Sequence, residues 1–253
     1  MIYDLQRASM WKRISAWLLD AILLCIIATL MAFLLSTALN YDSYSARLDA
    51  RYAYYEQEYG VTRELTQAQV DAMSPEQLAK LEAASNALAE DEEALFAYSM
   101  MIQLMIVITS GSILLAYIVL DFTVPMILGN GQTVGKKVFG IGVMRQNGVR
   151  VNGVCMFIRT LLGKFAIETM IPVIMALMLF FGSVGVVGWL IVGVIVIVEI
   201  ALLAATKERY TIHDKLANTV AVDITSQMIF NTPEDLLAYK QKVAAEKAAN
   251  QVY

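Results

Sequence analysis

The sequence predicts an all-α membrane protein: four transmembrane helices, a long extracytoplasmic helical hairpin between the first two, and a small cytoplasmic β-hairpin or sheet. Three observations carry that prediction. The chain of 253 residues is 58% hydrophobic with a mean hydropathy of +0.58, too apolar for an ordinary soluble domain. Its apolar residues gather into runs of about 20, the length that crosses a bilayer as a helix. Its charged residues are gathered just as unevenly, into the segments between those runs.

Residues 1–39 hold an N-terminal tail and the first span, an apolar run over 16–39 broken only by Asp20. The "STA" at its end resembles a signal-peptidase site, but Asp20 and the length of the run favour a retained span. Residues 40–99 are polar yet patterned. Tyr41, Tyr44, Leu48, Tyr52, Tyr55 and Tyr59 recur at helical spacing and make one stripe. "SPEQ" at 74–77 reads as an N-cap, a first-turn proline and a capping-box glutamine. Leu78, Leu81, Leu88 and Leu95 continue the stripe beyond it. The segment is therefore expected to fold as an antiparallel helical hairpin, with an arm of about 19 residues reaching about 28 Å. Its stripes are packing faces first. The acidic "EDEE" at 90–93 also suits an extracytoplasmic protein partner or a second copy of the chain.

Residues 100–128 give the second span, with Asp121 in its last third. Residues 129–164 follow as a glycine-rich segment, "GNGQTVGKKVFGIGVMRQNGVRV" and then "NGVCMFIRTLLGK". The Gly-Lys-Lys invites a phosphate-loop reading, but the glycine spacing is wrong and Lys137 stands where the magnesium-binding hydroxyl belongs. The alternative is a β-hairpin turning at Asn147-Gly148, which in its favoured form needs positive φ at both central residues. "TVAVDI" at 219–224 offers a further strand. "CMFIRTLLGKF" at 155–165 reads as an interfacial amphipathic helix. Arg159 and Lys164 on it, with Lys136 and Lys137, are expected to be lipid-facing basic anchors for anionic headgroups.

Residues 165–206 contain only two charges, Glu168 and Glu199. This is twice one span, so third and fourth helices are expected, turning at "GSVGVVG", 182–188; three spans with a re-entrant piece is the lesser option. Residues 207–253 form a tail in which "TIHDKL" puts His213 and Asp214 at a helix start, where aspartate commonly caps.

Orientation follows from lysine and arginine. The N-terminal tail, residues 130–164 and the C-terminal tail carry three, six and six of them, whereas residues 40–99 carry four against twelve acidic residues. The positive-inside rule then puts both termini in the cytoplasm. Trp11 and Trp17 near one interface and Trp189 near the other fit an aromatic belt.

Asp20, Asp121, Glu168 and Glu199 lie inside apolar runs and are the ion- or solute-binding candidates, because intramembrane carboxylates are costly unless they serve a site or a partner. Glu168 and Glu199 fall at similar depth on adjacent antiparallel spans, and like charges brought together share protons or hold a cation. Arg13 and Asp20 share a helix face, but about 10 Å of rise separates them. The structural alternative is that these charges neutralise one another and hold the bundle together.

Arg13 and Asp20 in "WKRISAWLLDAILL", "GQTVGKKVFGIGVMRQNG" after the second span, and "RYTIHDKLANTVAV" after the last resemble the RDD family of prokaryotic membrane proteins, named for one arginine and two aspartates. Arg13 and Asp20 match family positions directly. Asp214 is the better match for the second aspartate, and Asp121 is the competing assignment. The resemblance covers most of residues 11–222 but not the long hairpin, which looks like an insertion. It implies a multi-pass protein of the bacterial cytoplasmic (inner) membrane with a transport role, some members being described as sodium–proton antiporters.

Other classes are poorly supplied. Cys25 and Cys155 do not make a disulfide framework, and one histidine with two cysteines gives little for a metal site. There is neither a nucleophile elbow nor a zincin motif, so no enzyme is expected. No cofactor, nucleotide or nucleic acid is expected either. The lipid bilayer is the certain partner class. Small size and the lack of paired broken-helix repeats leave room for a homo-oligomer, so a small-cation or solute transporter stands against a noncatalytic membrane scaffold.

Overall fold

The computed structural model describes residues 5–180, 182 and 185–249. Its helices and strands are α1 (Met10–Ala38), α2 (Tyr41–Tyr59), α3 (Gln67–Asp71), α4 (Pro75–Glu90), α5 (Glu92–Tyr117), a π-helical turn π1 (Ile118–Thr123), α6 (Val124–Leu128), α7 (Val134–Val138), β1 (Ile141–Arg145), α8 (Gly153–Phe157), a longer π-helical stretch π2 (Ile158–Met170), α9 (Ile171–Phe180), α10 (Gly185–Ala205), α11 (Ile212–Leu216), β2 (Thr219–Asp223) and α12 (Pro233–Ala249). Four continuous helices are long and apolar enough to span a membrane: Met10–Ala38, Glu92–Leu128, Gly153–Phe180 and Gly185–Ala205. Large apolar side chains stand on their outer surfaces, Phe33, Ile197 and Trp189 among them. In water such a surface would be a liability, and in hydrocarbon it is the ordinary solution. Residues 183 and 184 of the expected turn between the last two spans lie outside the described residues; Gly182 and Gly185 on either side have φ of 68° and 48°.

The chain divides into two compact units, residues 29–112 and residues 1–28 with 113–253. In the first unit α2 packs on α4, and Leu48 and Tyr52 of α2 also meet Ala94, Ala97 and Met101 of α5, with Leu88 of α4 against them. The stripe is thus a packing face through Leu48, Tyr52 and Leu88, whereas Leu78 and Leu95 are exposed. "SPEQ" caps α4 as its residues dictate. Ser74 accepts from the Gln77 N–H, and the Gln77 side-chain oxygen accepts from the Ser74 N–H at 2.8 Å. Asp91 then starts α5: it accepts the Ala94 N–H at 2.9 Å and the Tyr55 hydroxyl at 2.9 Å, and pairs with Arg51. The Ala94 N–H, acting against burial and together with Arg51 and Tyr55, holds its carboxyl down at about 2.

The second unit contains the sheet, and here the expected hairpin needs correction. β1 pairs antiparallel with β2, from Ile141 opposite Asp223 to Arg145 opposite Thr219. The 149–151 run contributes only single bridges, Met144 to Arg150 and Val149 to Phe230. The Asn147-Gly148 turn exists, with Arg145 N–H donating to Val149 O at 2.8 Å and Gly148 N–H to Arg145 O at 2.9 Å. Only Gly148 has positive φ, however, at 88°, so this is a three-residue loop ending on a left-handed glycine rather than the two-residue turn. The reason is burial. Val143, Met144, Val220 and Val222 are all sealed from solvent, and β2 pairs along five residues, its Val220, Ala221 and Val222 buried, while "VRV" offers only three residues.

The third spanning helix also begins earlier than its apolar run. It starts at Gly153, capped by the Asn152 side chain on the Cys155 N–H, and continues through π2 to Phe180. The expected interfacial helix is its first half, and its basic residues are not lipid-facing. Arg159 and Lys164 turn inward to buried carboxylates, as does Lys136, while Lys137 alone of the four is exposed. A cation at a span end reads the same from sequence whether headgroup phosphate or an internal aspartate neutralises it.

Candidate functional site

Asp20 lies nearly three turns inside α1 and is held by the glycine-rich segment. Thr133 caps α7 and donates its hydroxyl to Asp20, Gly135 donates its backbone N–H to Asp20 Oδ1 at 2.7 Å, and Lys136 Nζ lies 3.8 Å from Oδ2. Gly135 has a steric role here. A Cβ at that position would run into the Ala16 carbonyl and come within 2.9 Å of Asp20 Cγ, so only glycine lets this backbone reach the carboxylate. The glycine-rich stretch therefore cradles an internal anion belonging to α1, not a nucleotide phosphate. Burial first, then the neighbouring Lys164 and Arg159 cations, pulls the Lys136 ammonium down to about 7.

Arg13, two turns before Asp20, does not pair with it. Its Nη1 donates to the Arg209 carbonyl at 2.6 Å and its Nη2 lies 3.3 Å from Asp214 Oδ2. Asp214 also binds Arg159, which donates to Thr219 at 2.6 Å. Asp214 is therefore one anion between two arginines. Burial alone would raise its carboxyl, but Arg159 and then His213 and Arg13 hold it far below the usual carboxylate range. The expected cap at this helix start is also corrected. Thr211 is the N-cap of α11, accepting the Asp214 N–H at 3.3 Å, and Asp214 sits three residues on.

Asp121 and Lys164 form a further pair, one from each π-helical stretch. In π1 and π2 the hydrogen bonds run i to i−5, as from Val124 N–H to Val119 O and from Ile171 N–H to Ala166 O. The wider winding leaves the Asp121 carbonyl to the Thr160 hydroxyl at 2.9 Å. π-turns gather at functional sites in helices, and these two carry the partners of one buried ion pair.

Glu168 and Glu199 meet at α11. Glu199 Oε2 accepts the Ile212 N–H at 2.9 Å, and Glu168 Oε1 accepts the His213 N–H at 2.8 Å. Glu168 also accepts from His213 Nδ1 at 2.8 Å. Burial, and after it Arg159, lowers the His213 pKa in spite of its acidic neighbours. The α11 backbone comes this close because position 163 is glycine: a Cβ there would meet His213 Cα at 2.6 Å. The similar depth of the two glutamates is expressed as consecutive N–H groups of one short helix.

These elements line an open cleft of about 590 Å³, with Arg13, Trp17 and Asp20 of α1 on one side, Val192 to Leu203 of α10 on another, and Lys136, Arg159, Lys164, Glu168 and His213 at its base; the wall residues Trp17, Val196 and Ile200 are exposed at its mouth. Three of the four carboxylate candidates, Asp20, Glu168 and Glu199, line it, while Asp121 lies behind Lys164. Its floor is charged and its walls are apolar. No group of three His, Cys, Asp or Glu side chains among the described residues converges as a metal cage. The sequence reading missed the roles of Thr133, Arg159, Lys164, Thr211 and His213. The usable signal was the pair of glycines, Gly135 and Gly163, set in helical surroundings where glycine costs about 1 kcal/mol unless a backbone must come close.

No curated protein and no solved structure matches the chain. The RDD family model matches residues 7–218, a span that includes Arg13, Asp20, Asp214 and every lining group of the cavity except Ala221. With four spanning helices and that match over most of its length, the chain belongs to the RDD family of membrane proteins.

Proposed function

We propose that the protein moves a small cation or other small charged solute across the bacterial cytoplasmic membrane, with the cavity bounded by α1, π2 and α10 as its binding site. The observation that carries this reading is the cavity itself, about 590 Å³ among spanning helices with Asp20, Glu168 and Glu199 on its surface. Ionisable groups at membrane depth that face a cleft rather than lipid are candidates for solute and ion paths by default. The charge asymmetry of the loops supports both termini in the cytoplasm and residues 40–99 outside.

Within the cavity the carboxylates divide by task. Asp20 is occupied in docking α7, and Glu168 in holding His213. Glu199 keeps one oxygen without a hydrogen bond or cation among the described residues. It is therefore the group that can exchange one cation for another during a cycle. The test is cation flux in liposomes, measured for protons, alkali ions and labelled organic cations. Wild-type protein should carry flux, and Glu199→Gln should insert normally and lose it. Absence of flux for every cation tested, with Glu199→Gln neutral in cells, would sink the reading.

The scaffold alternative draws on one observation, that Arg13, Arg159 and Lys164 are all committed to internal ion pairs. Under that reading the charges fix the bundle and the 40–99 hairpin meets a protein partner or a second copy.

A further inference from the structure

The ionisable side chains in and behind the cavity, Glu199 excepted, are held by partners within the protein. Arg13 and Arg159 share Asp214, Lys164 holds Asp121, Asp20 is bound by α7 and Lys136, and Glu168 is bound by His213. Glu199 is left over. Its Oε2 accepts the Ile212 N–H at 2.9 Å, and no cation among the described residues lies within ion-pairing distance. It is the one carboxylate of the cavity with neither a cation nor an imidazole against it among the described residues.

The walls around that charge select further. Val192, Ile195, Val196, Ile200 and Leu203 come from the helix that carries Glu199, and Trp17 faces the same space from α1. A dehydrated inorganic cation needs several oxygen ligands, and one carboxylate oxygen among aliphatic side chains does not supply them. A cation whose charge is spread over a hydrocarbon body needs only one counter-charge, apolar contact and an aromatic face.

On these grounds, and resting on the reading that this cavity is the solute site, we infer that its ligand is a lipophilic organic monocation. The charged centre sits against Glu199, and the apolar body lies along the α10 wall and Trp17. With every other carboxylate of the cavity already partnered, Glu199 offers one counter-charge, which matches a monocation and leaves a second positive charge uncompensated.

The probe is tetraphenylphosphonium, titrated against purified protein in nanodiscs, with neutral triphenylphosphine oxide as the uncharged comparison. Wild-type protein should bind the cation saturably and the neutral analogue not. Glu199→Gln should weaken binding by about tenfold or more, the loss expected for one charged contact, and Glu199→Asp should retain most of it. Val196→Trp fills the apolar wall, keeps the charge and should also abolish binding, which covers the case in which Glu199→Gln fails to insert. Equal binding to wild type and Glu199→Gln, or equal binding of the neutral analogue, overturns the inference. Flux of protons or alkali ions that depends on Glu199, in protein that does not bind tetraphenylphosphonium, also overturns it while leaving the transport reading intact.

Discussion

Asp91 in the hairpin unit and Asp214 in the sheet-bearing unit are built alike. Each is nearly sealed from solvent, each is bound by arginine, and each lies at the start of a helix, Asp91 accepting the Ala94 N–H and Asp214 accepting the hydroxyl of the capping Thr211. They differ in their partners' access to water. Arg51 remains 28% exposed, whereas Arg159 is 3% exposed and Arg13, the second arginine on Asp214, is largely covered. When Asp91 is lost, water can solvate the arginine it leaves behind. When Asp214 is lost, two guanidinium groups remain inside the bundle with little to replace the carboxylate. Chemically similar pairs therefore carry different consequences, because desolvation decides the cost of an orphaned charge.

The largest effect should come from Asp214. Asp214→Ala strands Arg13 and Arg159 and unties Thr211 and Thr219 at once. Breaking a buried pair by removing one partner costs about 3–5 kcal/mol. The variant should show that loss in reversible unfolding in detergent, or fail to accumulate. Leu replacements at all three of Arg13, Arg159 and Asp214 should recover much of it, since no charge is then left alone. A single Asp214→Ala that unfolds like wild type would erase the contrast with Asp91.

That contrast also explains what could be read beforehand. Local signals were legible: the four apolar runs, the tyrosine stripe and the capping box at Ser74 all depend on residues a few positions apart. The glutamates' similar depth was legible too, because helix rise is regular. The pairing of Arg159 with Asp214 and of Lys164 with Asp121 was not. It depends on which way a long side chain turns at a span end, and both choices satisfy the same sequence pattern. The β1–β2 pairing was obscured by a genuine local turn at Gly148, since a nearby partner looks sufficient until the burial of both strands is known.

An intermediate effect belongs to Lys136, the cation of the second unit that sits against Asp20 at 3.8 Å. Its ammonium is drawn down to about 7 by burial and by Lys164 and Arg159, against about 10.4 in an unfolded chain. Between those values the unfolded chain binds the extra proton, so stability should rise as pH climbs from about 7 to about 10. Lys136→Met should flatten that rise in detergent unfolding followed at several pH values. An unchanged slope would remove Lys136 as its source.

The smallest effect is expected at Asp91, and its pH dependence has the opposite sign. Its carboxyl stands at about 2 in the folded hairpin, below the unfolded value of about 3.9. The stabilisation is therefore fully present above about pH 4 and fades as pH falls toward 2. Arg51→Ala should remove part of it, but the Ala94 N–H and Tyr55 hydroxyl still bind the carboxylate, and Asp91 keeps its place at the start of α5. Helicity and melting near pH 7 should change far less than in Asp214→Ala, since no cation is left buried and the remaining acceptors stay satisfied. If Arg51→Ala proves as damaging as Asp214→Ala, solvent access is not what separates the two aspartates, and the number of segments each one ties together would have to be.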